Sequence, residues 1–482
     1  MSSLDHLDPS ILWRHFSHIC SIPHTSRHEE LLVAYIRDFA DLHQLKWAID
    51  KTGNICVTKN ATKGNEQRQG VILQAHLDMV PQKNDCVRHN FISDPIVPYV
   101  EGSWVKAANT TLGADNGIGV ATILAILESD AVAHGPLEAL FTIDEETGMS
   151  GALGLERGFL KGKKLINLDT EDERELVIGC AGGLDCSARF TYAEDTIDSS
   201  VIAYSISLTG LKGGHSGIDI SLGRGNAIKL LNRVLYKCAQ ECDFRISSIQ
   251  GGSVRNAIPR EANAIITIQS KDTSKLQELI FQQQTVLRSE LYGAETGIEL
   301  SIKPASLPIA VMSRDAQHTL LRAVYACPNG VIRMSSSVHD VVETSTNLAI
   351  INCNDGVATI HCLLRSAIQS AIKDLQSTID STLTLAGFNV SFTGGYPGWQ
   401  PDPDSTLLKN MMDVYESVTG DIPEVKVIHA GLECGIIGAQ YPGMEMVSCG
   451  PTIQFPHSPD ERVSTDSVKR FWDYLVKVLT II

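Results

Sequence analysis

The sequence predicts an α/β protein: a mixed sheet covered by helices, interrupted by a large inserted α+β domain. Three observations predict this. Before Asp169, apolar runs of strand length alternate with a helical stretch. Near Arg189 the texture changes to alternating strands and amphipathic helices. With 482 residues, the chain also exceeds the roughly 250–300 at which a single core stops growing.

Taken in order, VILQAHLDMV (71–80), LEALFTI (137–143) and KLINL (164–168) are the strands of the first part. In the stretch NGIGVATILAILES between the first two, Ile118, Ala121, Leu124, Ala125 and Leu127 recur near helical spacing. Strands alternating with helices imply a sheet covered on both faces. Each strand ends in residues able to bind a metal or move a proton: His76 and Asp78, then Glu145 and Glu146, then Asp169. Sites in open α/β sheets form outside the carboxyl ends of strands, so these residues are expected to meet.

The insert is expected to span 189–393, leaving 1–188 and 394–482 as the two parts of the first domain. VIAYSISLTG, FRISSIQGG, ANAIITIQS and IELSIKP read as strands; GNAIKLLNRVLYKCA and KLQELIFQQQTVLRSELY read as helices. After Leu307 the order partly recurs. A helix over 316–326 leads to TSTNLAIIN and VATIHCLLR, joined through Asn354-Asp355-Gly356, a strong hairpin signal. The helix AIQSAIKDLQSTIDSTL and the strand NVSFTG complete two similar halves, so the insert is expected to be internally duplicated. The Gly- and Pro-rich stretch 394–404 is the return linker, and DSVKRFWDYLVKVLTII closes the first domain as a helix.

The net charge of −16 argues against nucleic acid. No run of about 18 apolar residues suggests a membrane span. The N-terminus lacks the basic and apolar regions of a signal peptide, and a cytoplasmic location is expected. The twelve cysteines include no CxxC pair and read mostly as small apolar core residues of a reducing compartment.

His76 and Asp78 stand one residue apart, so on a strand their side chains share a face. A carboxylate there can fix the imidazole tautomer while the other ring nitrogen binds a metal. Asp115, in LGADNGIG, fits either a helix N-cap or a ligand. The adjacent Glu145 and Glu146 point in different directions, so one can bind a metal while the other acts as a base. His457, in FPHSPDERV, supplies a second imidazole. Two histidines with three carboxylates suit Zn²⁺, with Co²⁺ or Mn²⁺ as alternatives. The set is too large for one tetrahedral ion that keeps an open position. It fits two ions about 3.5–4 Å apart, sharing a carboxylate and a water.

The ordered motifs AHLDMV, GADNG, DEETG, NLDTED and HSPDERV resemble the dizinc aminopeptidase/carboxypeptidase/aminoacylase superfamily. With HAGLECGI and the large insert, they look most like its aminoacyl-histidine dipeptidase branch. The resemblance implies a dizinc-peptidase-type catalytic domain with an inserted lid/dimerisation domain. It implies two divalent ions per chain bridged by Asp115, with His76 and Asp169 completing one site, Glu146 and His457 the other. Asp78 would orient His76, and Glu145 would be the general base. His215, in GLKGGHSGIDI, would reach the reaction from the lid; in dimeric relatives the neighbouring subunit supplies it, so a homodimer through the lid is expected. The implied substrates are unblocked dipeptides of the Xaa-His type, with N-acyl-amino-acid deacylation or tripeptide cleavage as the alternative.

Relatives bind the substrate carboxylate with a lid arginine after an Asn-containing segment. Here GGSVRNAIP keeps Asn256, but Gln269 stands near where a single-copy lid would place arginine. The second half offers Asn347 and Arg365, which are expected to bind substrate, since a guanidinium grips a carboxylate with two bonds. The loop GGHSG lacks the GK[ST] of a nucleotide-binding loop. His429, Glu433 and Cys434 of HAGLECGI receive no chemical role.

Overall fold

The computed structural model describes residues 4–198 and 200–482. It divides into two compact units: 1–179 with 399–427 and 432–482, and 180–398 with 428–431. The principal elements of the first segment are α1 (Ser10–Cys20), α2 (Glu30–Leu42), β1 (Lys46–Ile49), β2 (Ile55–Lys59), β3 (Val71–His76), α3 (Ala114–Glu128), β4 (Leu137–Thr142), β5 (Lys164–Asn167) and β6 (Glu175–Cys180). The second unit continues with β7 (Gly182–Thr191), β8 (Val201–Thr209), α4 (Ala227–Cys238), β9 (Phe244–Gly251), β10 (Ala262–Gln269), α5 (Thr273–Glu290) and β11 (Glu299–Ala305). It ends with α6 (Arg314–Ala326), β12 (Val342–Asn354), β13 (Val357–Ser366), α7 (Gln369–Leu385) and β14 (Asn389–Tyr396). The chain returns through α8 (Thr406–Thr419), β15 (Glu424–Ile428), α9 (Glu433–Gln440), β16 (Glu445–Ser448) and α10 (Thr465–Leu479).

The first unit carries an eight-stranded mixed sheet in the order β1-β2-β4-β3-β5-β16-β6-β15. Its centre is parallel, from β4 through β3 and β5 to β16. Every residue of β3, β4 and β5 is buried, which is why these strands read as continuous apolar runs. Helix α3 is buried on all sides from Gly117 to Leu127, so the periodicity in its sequence is part of a wider apolar surface. It packs against β3 on one side and α1 on another. The carboxyl ends of β3, β4 and β5 lie side by side, because the register aligns His76 with Thr142 and Gln74 with Asn167.

The second unit is built on a nine-stranded antiparallel sheet, ordered β11-β8-β10-β9-β12-β13-β7-β14, with the strand Gly330–Met334 alongside β12. The repeat is visible in that order. One half is β8-α4-β9-β10-α5-β11, arranged β11-β8-β10-β9; the other is β7-α6-β12-β13-α7-β14, arranged β14-β7-β13-β12. The halves join where Ile249–Gly251 of β9 pairs with Ile351–Cys353 of β12. The complete first half is thus inserted after the opening strand of the second. The sequence placed a boundary at 188/189, but that point falls inside β7, whose partners β13 and β14 come well over a hundred residues later. The hairpin between β12 and β13 forms as expected, with positive φ at both Asp355 (48°) and Gly356 (73°).

Candidate metal centre

The chemistry-bearing residues of the first unit converge at the carboxyl ends of β3, β4 and β5. His76 is the last residue of β3. Its Nε2 lies 3.1 Å from Asp115 Oδ1 and 3.2 Å from Asp169 Oδ1. His457 Nε2 lies 3.2 Å from Asp115 Oδ2 and 2.9 Å from Glu146 Oε1. The two oxygens of Asp115 therefore face two separate sets, one of His76 and Asp169, the other of His457 and Glu146. Ligand atoms of His76, Asp115 and Glu146 all fall within 4.8 Å of one another. Among the described residues, no lysine or arginine forms an ion pair with Asp115, Glu146 or Asp169.

Local backbone explains how adjacent acids part company. Asp144 adopts a left-handed conformation, φ 54°, which turns the chain from β4 into the short helix Glu145–Gly148. Asp78 ties this turn down: its Oδ1 accepts the Glu145 amide at 3.0 Å, and its Oδ2 accepts the Glu146 amide at 3.1 Å and Ser26 Oγ at 2.7 Å. Asp78 lies beyond the end of β3, so the shared strand face expected for His76 and Asp78 is not what relates them. Instead His76 Nδ1 meets the Asp78 carbonyl at 3.0 Å, with the carboxylate at 3.4 Å. The carbonyl requires a proton on Nδ1, which leaves Nε2 as the free donor atom toward Asp115 and Asp169.

Asp115 is not an N-cap. Helix α3 begins at Ala114 with Gly113 in the cap position, and Asp115 sits in the first turn with non-helical φ −83° and ψ 106°. Its carboxylate is turned to the imidazoles instead.

Electrostatics mark the centre as short of positive charge. Burial alone would lower the His76 pKa, yet Asp169 and the bonds to Asp115 and Asp78 hold it well above the ordinary value. His457, beside Asp115 and Glu146, is pushed up to about 11. Burial and the neighbouring acids Asp169, Glu433 and Glu146 raise Glu145 well above the carboxylate range. Burial would raise Asp78 too, but His76 and its hydrogen bonds bring it down to about 2. Three partly buried carboxylates and two imidazoles, with one carboxylate facing both sets, fit a pair of divalent cations.

The second unit holds a separate cluster. Arg365 is 5% exposed; its Nη1 donates to Tyr396 Oη at 3.3 Å, and its Nε has no partner among the described residues. His215 Nδ1 accepts the amides of Gly217 (3.2 Å) and Ile218 (3.0 Å), which places the ring proton on Nε2. Burial, then Arg365, lowers the His215 pKa and keeps the ring neutral. His429 belongs to this cluster. Its Nε2 lies 2.7 Å from Ser345 Oγ, and burial with Arg365 and His215 pushes its pKa down to about 3. Asn347 does not join as a free ligand. It is 1% exposed, its Nδ2 donates to Ala257 O at 2.7 Å, and its Oδ1 accepts Asn226 Nδ2 at 3.3 Å. Its amide is used in packing β12 against neighbouring loops. Asn256 is exposed, and its carbonyl accepts the amide of Ser216, next to His215.

Sequence reasoning passed over several residues. Glu433 is buried against Gln74 and Thr142, both at 2.7 Å from its Oε2, and its pKa is pushed up to about 7 by burial. A glutamine in the middle of the apolar run VILQAH was the available signal. Glu461 is 2% exposed and accepts four backbone amides, although DERV reads as a solvated loop.

Fold and site together define a class: a two-domain metallopeptidase with a large inserted domain. Residues 206–295 match the family described as "Peptidase dimerisation domain". The cytosol non-specific dipeptidase of Escherichia coli (strain K12) is 45% identical over 479 residues, covering 99% of each chain. The crystal structure of aminoacylhistidine dipeptidase from Vibrio alginolyticus superposes with a TM-score of 0.96 at 48% identity, covering 99% of this chain and 98% of that one. An M20 family metallo-carboxypeptidase from Sulfolobus solfataricus shares the fold at a TM-score of 0.52 and 15% identity, with 98% of both chains covered. The chain belongs to the aminoacylhistidine dipeptidase branch of the M20 metallopeptidases.

Proposed function

We propose that this protein hydrolyses unblocked dipeptides, Xaa-His among them, at a two-metal centre held by His76, Asp115, Glu146, Asp169 and His457. One observation carries the reading: each oxygen of Asp115 faces a different imidazole–carboxylate set. His76 and Asp169 would hold one ion and Glu146 and His457 the other, with Asp115 the carboxylate common to both sets. When bound there, two dications, Zn²⁺ by the mixed nitrogen and oxygen donor set, would supply Lewis acidity and lower the pKa of the attacking water from 15.7 toward about 7.

The chain's own groups do the rest. Glu145 takes the proton of the attacking water and later delivers it to the leaving amine nitrogen. Its place in the turn is set by the bond from its amide to Asp78. Asp78 also holds His76 in the tautomer that presents Nε2 to the ion. His215, with Nδ1 committed as an acceptor, presents Nε2–H as a donor suited to the tetrahedral oxyanion. Arg365 takes the free carboxylate of the dipeptide.

We further propose a homodimer, on the strength of the dimerisation-domain match. Arg365 helps lower the His215 pKa, so the two side chains form one cluster of the second unit. A cytosolic setting accords with the name of the Escherichia coli relative and with the burial of all cysteines but Cys86. No helix among the described residues is long and apolar enough to cross a membrane.

The test is hydrolysis of β-Ala-His, Ala-His, Gly-Gly and N-acetyl-histidine, with zinc or manganese added and then chelated. Chelator-sensitive cleavage of the free dipeptides alone supports the reading. Preference for the acetylated compound would turn it to the deacylase alternative.

A further inference from the structure

Glu461 stands four residues after His457, is 2% exposed, and makes no ion pair with a lysine or arginine among the described residues. Its charge is met by backbone. Oε2 accepts the amides of Leu112 at 2.7 Å and Gly113 at 3.0 Å; Oε1 accepts those of Ala114 at 2.8 Å and Asp115 at 3.3 Å. The amides of Gly113, Ala114 and Asp115 are ones that a helix start leaves without intrahelical partners, and here Gly113 offers no side chain to cap them. Asp115 and Asn116 depart from helical φ and ψ, so the turn carrying Asp115 lacks the ordinary support of the helix it opens. A carboxylate from 346 residues further along the chain supplies that support.

We infer that Glu461 is a positioning residue for the two-metal centre, acting through Asp115 and His457. Asp115 must aim one oxygen at each imidazole, at 3.1 and 3.2 Å, so a small displacement of its turn breaks one contact or the other. Glu461 is bonded to the Asp115 amide and shares a short loop with His457, where its own amide donates to Ser458 O. The loop is anchored beyond it by the strand Arg462–Ser464, paired with Trp104–Ala107. Glu461 therefore sets the position of the Asp115 turn against the His457 loop. The two sites depend on it unequally. The Glu146/His457 site draws both of its other ligands, Asp115 and His457, from the tethered segments. The His76/Asp169 site draws only Asp115 from them.

This inference rests on the two-metal reading, and the experiment separates the two. Metal-free wild-type, Glu461→Gln and Glu461→Asp proteins are titrated with Co²⁺ by calorimetry and by visible absorption. The glutamine keeps the length but turns an NH₂ toward two amides; the aspartate keeps the charge but falls short. The expected result is two ions per wild-type chain, and in both variants one ion held near wild-type affinity with the second weakened at least tenfold. Equal weakening of both ions, or no weakening, overturns the role of Glu461 while leaving the two-metal reading intact. A wild-type chain that binds no cobalt overturns the reading itself. Should the variants fail to fold, backbone hydrogen exchange in wild-type protein decides. The amides of 112–115 are then expected to exchange slowly in metal-free protein, and exchange at the rate of an open loop contradicts the clamp.

Discussion

Glu145 and Glu146 are neighbours with different surroundings, which supports the separate roles proposed for them. Burial raises the pKa of both, but Glu146 has His457 at 2.9 Å to offset it, whereas Glu145 has the acids Asp169, Glu433 and Glu146 around it. Replacing Glu145 by Gln removes the group that moves the proton while keeping its shape. The expected outcome is a fall in kcat of about 10²–10⁴ with two metal ions retained, measured by initial rates and metal analysis. His429 yields a second prediction at this scale. Its folded-state pKa lies near 3 against 6.5 when unfolded, so below pH 6.5 the unfolded chain binds a proton that the folded protein refuses. Stability contributed by the neutral ring is present above pH 6.5 and is lost as pH falls, by about 1.4 kcal/mol per unit until about pH 3. In metal-free protein, His429→Gln is expected to flatten the fall in melting temperature between pH 6.5 and 4.5; parallel curves for variant and wild type would contradict this.

Among the elements, helix α3 shows how closely packing and site are joined. A Cβ at Gly119 would stand 2.8 Å from Leu168 O and 1.9 Å from Asn116 Oδ1, so the helix approaches the end of β5 over a bare backbone. Asn116 in turn donates to Asp169. Gly119→Ala is expected to separate the Asp115 turn from Asp169, costing about 1–3 kcal/mol in stability and loosening metal binding. Melting temperature and a cobalt titration check both effects. The elements legible in the sequence were those with local signals: apolar runs fully buried in the parallel centre of the sheet, amphipathic α4, and the Asn354-Asp355-Gly356 hairpin. Strand β7 was missed because its pairing partners are distant and Gly182-Gly183 reads as a turn. The same distance hid Glu461, whose four bonds reach back to residues 112–115. The surroundings of Asn347 were hidden likewise: an Asn in a strand does not reveal from sequence that its amide bonds to Ala257 and Asn226.

At the scale of the whole molecule, the first unit gathers two imidazoles around one carboxylate, and the second buries Arg365. Five ordered motifs made the ligand set legible, although their residues lie as far apart as His76 and His457. What the sequence left open was the geometry that distinguishes a shared carboxylate from a helix cap. The most direct test of the central claim is a titration of metal-free protein with Zn²⁺, following Ala-His hydrolysis and ion content together, beside Asp115→Ala. The account predicts activity that reaches its maximum at two ions per chain and is lost in the variant together with tight binding of the pair. Full activity at one ion, or a variant that binds two ions and cleaves Ala-His like the wild type, would contradict it.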